Sequence, residues 1–537
     1  MPSARKRSIR TFFTGSVRAE QWKKSMLPFM PYLVTFVVMW ILYLHFYSKE
    51  LINNEAAICL WMRTVLFVIV LYGAYLAYER KLTMDKVITL CIVGGLIMRI
   101  GYAFYTPHNV REHDLGPVSV NEFGHAAYIC NFYEKNSLPD SYYWQFYHPP
   151  FFHFLASLFM KFFGWLHEKA DLYTVFEVSK LVSCFASCSV VLMVRSLCRE
   201  LKCKPGMTCI IVAIMAFQPN FYLLAGRVNN DSTAAALLVF SFLMLVKWYH
   251  SRRFSHLIAM AAGIGFGMMA KLNVGIVAFV AGPVMLYVLW QAVRDKKWKG
   301  LIAQYGAFLA VCAPLGLWYS IRNYVLFKMP FGYVLNIDEN GINELLYRGH
   351  LPFAKRFLSI PWGEFQSAIY CDPTKDYNVP TYLLRCSLFG EFGFENVDVV
   401  ALLLLYTNII LVLLSAVATV AVIWKGKKFT PMLRYGCGLF WLAIMASYVT
   451  FNIKYPDSCT MDFRYIAPAV ISSVVYLAAF WQMLREYASE RQICVKRLSE
   501  VRSKQAKYIA VKFLVWFIPV CCALFVLFSA YMYSGLS

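Results

Sequence analysis

The feature that most constrains this chain is a series of long apolar segments that recurs along its whole length. A helix of about 20 apolar residues crosses the hydrocarbon core of a bilayer. Windows of that length predict thirteen membrane spans, near residues 27–47, 58–78, 86–106, 174–197, 207–225, 231–249, 256–271, 274–293, 301–320, 397–424, 433–453, 464–484 and 510–532. Since 59% of the residues are hydrophobic and only 15% are charged, soluble, disordered and nucleic-acid-binding classes are excluded. The sequence therefore predicts an all-α polytopic membrane protein.

The distribution of basic residues predicts the orientation of these spans. If the N-terminus is cytoplasmic, the connections on the cytoplasmic side contain 33 of the 52 Lys and Arg residues. Cytoplasmic loops of polytopic membrane proteins carry such an excess. We therefore predict an N-in, C-out protein, in which the net charge of +22 requires neither nucleic acid nor an acidic protein partner.

Three regions follow from this topology. Residues 1–85 form a basic N-terminus with two additional spans, residues 86–485 form the main transmembrane core, and residues 486–537 form a basic segment with the last span. Two long connections, 107–173 and 321–396, lie on the external side and carry juxtamembrane helices. Long connections of this kind are usually functional.

The first external loop carries several groups that suit acid–base chemistry beside the bilayer. His113, Asp114, Glu122, His125 and His148 all lie within it. An acid that is partly desolvated near the membrane gains the basicity that a general base needs. The alternative is a solvated loop with ordinary acids, and this segment alone does not separate the two interpretations.

Polar residues also occur at the external ends of the spans. They are Arg227, Asn230, Asp231, Lys271, Arg322 and Arg464. Any one of the cations could be a side chain that snorkels to the headgroups, and Arg63, Arg99 and Lys180, which lie within spans near their ends, could snorkel too. Four cations beside an acidic loop would instead form an anion site, and the anion would be a lipid phosphate.

Five stretches resemble a known superfamily. They are HDLGP…NEFGHAAYI…SLP…QFYHPPFFHFLASL from His113, RVNNDSTAAALL from Arg227, SLFGEFGFENVDV from Ser387, IRNYVLF from Ile321 and FRYIAP from Phe463. They are similar to those of GT-C superfamily glycosyltransferases that use a phospholipid carrier, in particular protein O-mannosyltransferases and aminoarabinose transferases. The resemblance extends from about residue 100 to 470 and leaves the first two spans outside.

The resemblance implies an enzyme that moves a monosaccharide from a polyprenyl- or dolichyl-phosphate donor to an acceptor at the non-cytoplasmic face. An acid of the first external loop would be the base. We favour Asp114, with Glu122 as the second catalytic candidate, because Asn121 stands where many relatives have the Asp of an Asp-Glu pair. His113, His125, His148 and the polar residues at the span ends would bind the substrate, and a single displacement would invert the anomeric centre.

Several points stay open at the level of sequence. No cofactor is certain; a divalent metal is compatible with the histidines and Glu122, but their spacing matches no known ligand pattern. The acceptor is a protein, a lipid or a glycan, and the membrane is a bacterial cytoplasmic membrane or the endoplasmic reticulum. The competing interpretations are a transporter or flippase for a lipid-linked or anionic substrate, and a catalytically inactive relative.

Overall fold

The computed structural model describes residues 28–120, 122–335, 344–495 and 502–536. The chain divides into two compact units, residues 1–50 and 51–537. Within the described ranges the secondary structure is helical and contains no β-strand. The predicted all-α class is therefore confirmed. The basic residues of 1–26, which contributed to the predicted orientation, and Asn121 lie outside the described residues.

Nineteen α-helices are described. The first unit contributes α1 (Met30–Ser48). In the second unit, the helices as far as residue 251 are α2 (Glu55–Tyr78), α3 (Met84–Tyr105), α4 (Gly124–Cys130), α5 (Phe151–Leu166), α6 (Leu172–Glu177), α7 (Lys180–Glu200), α8 (Pro205–Ala216), α9 (Pro219–Gly226) and α10 (Asp231–Ser251). The later helices are α11 (Phe254–Ala270), α12 (Ala278–Arg294), α13 (Trp298–Phe327), α14 (Trp362–Ser367), α15 (Val379–Phe389), α16 (Asp398–Lys425), α17 (Cys437–Lys454), α18 (Val470–Val495) and α19 (Arg502–Tyr533).

Eleven segments of the described residues are helical, long and apolar enough to cross a membrane. A twelfth is added if α8 and α9, which are bent by 44° at a short break, form one span. The remaining predicted span corresponds to α11, a shorter apolar helix of 17 residues. The chain is thus a multi-pass integral membrane protein, and the count of thirteen and the orientation stay predictions.

Local sequence signals explain where several helices begin. The side chain of Asn54 accepts a hydrogen bond from the backbone N–H of Ala57, 3.1 Å away, before α2. Asp171 does the same for Thr174 at 2.9 Å before α6. Such capping satisfies backbone donors that the first helical turn leaves without a partner. Pro205 and Pro219 each open a helix in the first position, where no N–H is needed.

In the buried centre of the second unit, α10 packs against both α7 and α11. Helix α10 begins at Asp231 and α11 ends at Ala270, so the antiparallel pair brings these two positions to the same end of the bundle. Gly263 allows the close approach, because a Cβ there would lie 2.7 Å from the ring of Phe240. The packing therefore places several predicted site residues at one end.

The snorkelling interpretation is wrong for Arg99. Its side chain has 0% exposure, and its guanidinium donates to the carbonyl oxygens of Gly95, Ala216 and Met215. These last two carbonyls lie at the C-terminal end of α8, where no intrahelical donor remains. Arg99 therefore joins α3 to α8 inside the bundle.

Lys180 is also buried and does not snorkel. Its ammonium group contacts the carboxylate of Glu177 and donates to the carbonyl oxygen of Thr106. The other oxygen of Glu177 contacts the Nδ1 atom of His108. This network fixes the start of the first external loop against α6 and α7.

Candidate active site

Three of the four predicted cations meet two carboxylates at one end of the bundle. Lys271 contacts Asp231, and the second oxygen of Asp231 lies 3.6 Å from Nε of Arg464. Nε of Arg464 is 3.3 Å from Oδ2 of Asp462, and Nη1 of Arg227 is 3.4 Å from the same oxygen. Positive and negative groups therefore alternate from Lys271 to Arg227. We call these five residues the charge chain.

The turn between α9 and α10 positions the charge chain. Oδ1 of Asn229 accepts a hydrogen bond from the backbone N–H of Asp231 at 3.1 Å, which fixes the first turn of α10. Nδ2 of Asn230 donates to the carbonyl oxygen of Ala270 at 2.9 Å. Because Lys271 follows Ala270 directly, this bond brings its ammonium group to Asp231. Asn230 thus positions the site from a buried location.

The first external loop joins the same turn through Glu112. The backbone N–H of Val228 donates to Oε1 of Glu112, and Oε2 is buried without a hydrogen-bond partner among the described residues. Burial raises the pKa of Glu112 to about 8, and the nearby guanidinium of Arg227 limits the rise. The loop therefore brings a carboxyl group of unusual basicity to Arg227.

Asp462 holds its charge although it is fully buried. Burial alone would raise the pKa of its carboxyl, but the guanidinium groups of Arg464 and Arg227 outweigh that effect and hold the pKa below its ordinary value. Its other oxygen accepts hydrogen bonds from the backbone N–H of Arg464 at 2.9 Å and from the thiol of Cys386 at 3.2 Å. Asp462 is therefore a fixed anion between two arginines.

His113 reaches the charge chain from the first loop. Its Nε2 lies 2.7 Å from Oε2 of Glu391, and the other oxygen of Glu391 accepts from the hydroxyl of Tyr382. The imidazole stacks on the ring of Phe392, with the centroids 5.3 Å apart. The second external loop therefore holds the His113 ring in a defined orientation.

His113, Glu391 and Asp462 are also the one group of described residues that could hold a metal ion. One ligand atom from each lies within 4.8 Å of the other two. Those carboxylates already bind His113, Tyr382 and the two arginines, so an ion would have to replace the contact between His113 and Glu391. The predicted metal-contacting residues His125 and Glu122 do not belong to this group.

Asp114 lies at the exposed side of this site. Its backbone has φ of +62°, a left-handed conformation, and its carbonyl oxygen accepts from the N–H of His125 at 3.0 Å. Its carboxylate acts electrostatically on Arg464, Tyr147 and Cys459. Asp114 is thus near the charge chain yet open to solvent.

Glu122 is likewise exposed, and it stands two residues before Gly124, where the loop turns. Gly124, with φ of +89°, makes this turn possible, because a Cβ there would collide with the carbonyl of Leu115. Among the described interactions, none connects the carboxylate of Glu122 to the charge chain. Of the two exposed acids, Asp114 is therefore the one that the described interactions connect to the cations of the charge chain.

His125 and His148 belong to a stack of three imidazoles with His153. Nδ1 of His125 and Nε2 of His153 are 2.8 Å apart, and the His125 and His148 centroids are 5.8 Å apart. Burial holds the pKa of His125 and of His148 well below the usual range. Positive charge on Lys271 lowers both further, which places the stack beside the charge chain. These imidazoles are neutral and suit hydrogen bonding to uncharged hydroxyl groups.

Arg322 has different neighbours from the other predicted cations. Its Nη2 donates to the carbonyl oxygen of Pro139 at 2.9 Å, and its guanidinium lies 5.4 Å from the ring centroid of Tyr319. Pro139 belongs to the first external loop. Arg322 therefore fastens that loop to α13.

Arg227 offers a hydrogen-bond donor that the described residues do not use. Its side chain is 4% exposed, and Nη2 is buried without a hydrogen-bond partner in the described part of the chain. The guanidinium also packs 5.2 Å above the ring of Phe392. An unsatisfied buried donor costs about 1–3 kcal/mol, so this group is poised for an acceptor from a ligand.

A narrow crevice opens from the charge chain along the membrane-spanning helices. Its volume is about 20 Å³, close to that of one water molecule. Its lining includes Asp231, Asn273, Arg464 and Tyr465 together with apolar side chains such as Ala234, Leu238 and Val274. The crevice thus offers both charged and apolar groups.

The sequence interpretation missed three carboxyl groups of this site: Glu112, Glu391 and Asp462. Asp462 stands two residues before Arg464 in the MDFR run, and Glu391 lies between Gly390 and Gly393 in a stretch that carries the resemblance. The presence of an acid in each of these two stretches was the sequence signal that could have identified Asp462 and Glu391 as site residues. Glu112 precedes His113 directly, but nothing in its surroundings indicates burial.

Residues 147–318 match the family model described as dolichyl-phosphate-mannose-protein mannosyltransferase. The resemblance to GT-C superfamily glycosyltransferases is confirmed. The match includes α5 to α12, most of α13 and the residues Arg227, Asn230, Asp231 and Lys271, and it covers less than half of the chain. No curated protein sequence matches the chain.

The solved structures that are similar to this chain include the following two. One is the archaeal oligosaccharyltransferase AglB from Archaeoglobus fulgidus in complex with an inhibitory peptide and a dolichol-phosphate, which is 13% identical with a TM-score of 0.43. That alignment covers 83% of this chain but only 56% of AglB. The other is ArnT from Cupriavidus metallidurans bound to undecaprenyl phosphate, 11% identical with a TM-score of 0.44, with 83% of this chain and 75% of ArnT covered.

Proposed function

We propose that this protein transfers a monosaccharide from a polyprenyl- or dolichyl-phosphate-linked donor to an acceptor hydroxyl at the non-cytoplasmic face. The observation that carries the proposal is the buried, unused donor of Arg227 beside the first-loop carboxylates. The family match over residues 147–318 supports the same class of reaction. The acceptor in this proposal is a protein, a lipid or a glycan.

In the proposed reaction the lipid phosphate binds between Arg227 and Arg464. Arginine suits phosphate because its planar group donates two parallel hydrogen bonds. Arg227 can donate to the phosphate, because its contact with Asp462 is 3.4 Å long and its Nη2 has no hydrogen-bond partner among the described residues. The crevice beside Arg464 gives the first carbons of the lipid chain an apolar wall.

Asp114 acts as the base in this proposal. The acceptor oxygen forms a bond to the anomeric carbon while the bond from that carbon to the phosphate oxygen breaks, and the acceptor proton passes to Asp114. The departing phosphate gains charge, which Arg227 and Arg464 stabilise. Because the displacement is a single step from the opposite face, the anomeric configuration inverts.

The other predicted substrate-binding residues have distinct parts in the proposal. Lys271 is held tightly by Asp231, so it orients Asp231 and Arg464 more than it contacts the phosphate. The neutral His125 and His148 would accept or donate hydrogen bonds to sugar hydroxyls, as would His113. Arg322 would act indirectly, by holding the first loop in place.

Purified protein should release sugar from a polyprenyl-phosphate-linked donor when an acceptor is added. One molecule of polyprenyl phosphate should form for each sugar transferred. Thin-layer separation of a radiolabelled donor measures the release, and NMR of the product gives the anomeric configuration. Retention of configuration would contradict the single displacement. Movement of the intact donor across vesicles without cleavage would show a flippase instead.

We propose further that the reaction needs no resident metal, because Arg227 and Arg464 already supply positive charge at the phosphate. Dialysis against EDTA should then leave the transfer rate within about twofold of the untreated protein. If activity is lost and returns with Zn²⁺ or Mn²⁺, His113, Glu391 and Asp462 would hold the ion. Measurement of bound metal in a Glu391→Gln variant would then test that assignment.

A further inference from the structure

A second cavity lies away from the charge chain. Its volume is about 590 Å³, and its charged lining consists of Lys202, Lys204, Lys425, Lys428, Glu486 and Glu490. The lysines come from the turn between α7 and α8 and from the end of α16, and the acids come from α18. Three separate parts of the chain thus form one basic pocket. The proposed transfer reaction makes no use of it.

This cavity lies at the opposite end of the bundle from the charge chain. Helix α7 begins at Lys180, beside the first external loop, and ends at Glu200, just before Lys202. At 1.5 Å per residue its 21 residues extend about 30 Å, the thickness of the hydrocarbon core. Helix α18 gives the same result, since it begins six residues after Arg464 and reaches the cavity at Glu486. The cavity therefore lies on the predicted cytoplasmic side.

The lining has more positive than negative charge. Lys204 is paired with Glu486 at 2.6 Å, and Lys428 lies 3.6 Å from Glu486 and 3.5 Å from Glu490. Lys202 and Lys425 have no ion-pair partner among the described residues. Two ammonium groups thus remain uncompensated at the mouth of a concave site. A basic residue that merely sets topology does not require such a concavity.

The lining of the cavity also includes apolar side chains. Met207, Phe429 and Met483 line it together with the charged groups. Trp424, which precedes Lys425, is 73% exposed, and exposed tryptophan is typical of the boundary between membrane and water. A ligand here therefore meets both lysines and apolar side chains.

We propose that this cavity binds the headgroup of an acidic phospholipid from the surrounding bilayer. The phosphate would lie between Lys202 and Lys425, and the glycerol and the first acyl carbons would contact Phe429 and Met483. Acidic phospholipids give the cytoplasmic leaflet its negative surface potential, and basic pockets between transmembrane helices on that side bind such headgroups. The proposal is independent of the transferase activity.

Native mass spectrometry of the full chain tests the site, with phosphatidic acid as the probe and phosphatidylcholine of the same acyl chains as the neutral reference. We expect one tightly retained phosphatidic acid per protein. A lysine near an acidic surface contributes about 1 kcal/mol, or about fivefold in affinity. The double substitution Lys202→Gln/Lys425→Gln should therefore weaken retention about 25-fold.

The matched control is Lys296→Gln/Lys299→Gln, which removes the same charge from exposed positions on the same predicted face. It should retain phosphatidic acid as the wild type does. Equal losses in both variants, or no loss in either, would overturn the proposal. Displacement of the lipid by millimolar inorganic phosphate, with phosphate binding in its place, would show a site for a free anion and would also overturn it. All four lysines are exposed, so we expect unchanged melting temperatures.

Discussion

Replacing Asp114 by Asn should lower the rate of sugar transfer by about two to four orders of magnitude, the usual contribution of a general base. Asparagine has nearly the same shape but does not accept a proton from the acceptor hydroxyl. It also tolerates the left-handed backbone at this position, so the loop should keep its conformation. Turnover of a polyprenyl-phosphate sugar at saturating donor measures the effect, and donor affinity should stay within about threefold.

The matched control for this prediction is Glu122→Gln. Glu122 is another exposed acid in the same loop, and this substitution removes the same charge. We expect near wild-type turnover, because the described interactions leave Glu122 apart from the charge chain. The opposite pattern, with an active Asp114→Asn protein and an inactive Glu122→Gln protein, would move the base to Glu122. If the wild-type protein is inactive with every class of acceptor, the alternative that the chain is a catalytically inactive relative would be supported.

Much of the fold could be predicted because lipid imposes strong constraints on a spanning chain. Backbone groups in the bilayer core must be satisfied within the segment, so a long apolar run there is a helix. The first external connection does contain a helix of the predicted juxtamembrane kind, Phe151–Leu166, which begins after Pro149 and Pro150. What hydropathy missed was the bend between α8 and α9, because an average over residues 207–225 hides the short polar interruption at Gln218, Pro219 and Asn220.

The charged residues of the site were harder to interpret. A hydropathy pattern does not separate an arginine that snorkels from one that is buried, and Arg99 was therefore misassigned. Its partners, the carbonyls at the end of α8, are more than a hundred residues away in the chain. Arg227 and Arg464 were predicted from their positions at span ends, but their shared partner Asp462 required the tertiary structure.

Substitution of Arg227 by Gln should weaken donor binding about ten- to a hundredfold, because a hydrogen bond to a charged group contributes about 1.5–3 kcal/mol. Arg227→Lys should recover part of this loss, since lysine retains the charge but not the paired donors. Titration of the undecaprenyl-phosphate carrier, followed by tryptophan fluorescence or calorimetry, measures the affinity without turnover. Arg322→Gln is the control, because Arg322 donates to Pro139 in the loop.

The interpretation of the Arg227 variant depends on Asp462. Removing Arg227 leaves a buried carboxylate with less compensation, and breaking a buried ion pair can cost about 3–5 kcal/mol in stability. The double variant Arg227→Gln/Asp462→Asn removes both charges and should recover thermal stability. If donor affinity stays low in the double variant, Arg227 contacts the phosphate directly. If affinity recovers together with stability, the role of Arg227 is to neutralise Asp462, and the phosphate site must lie elsewhere.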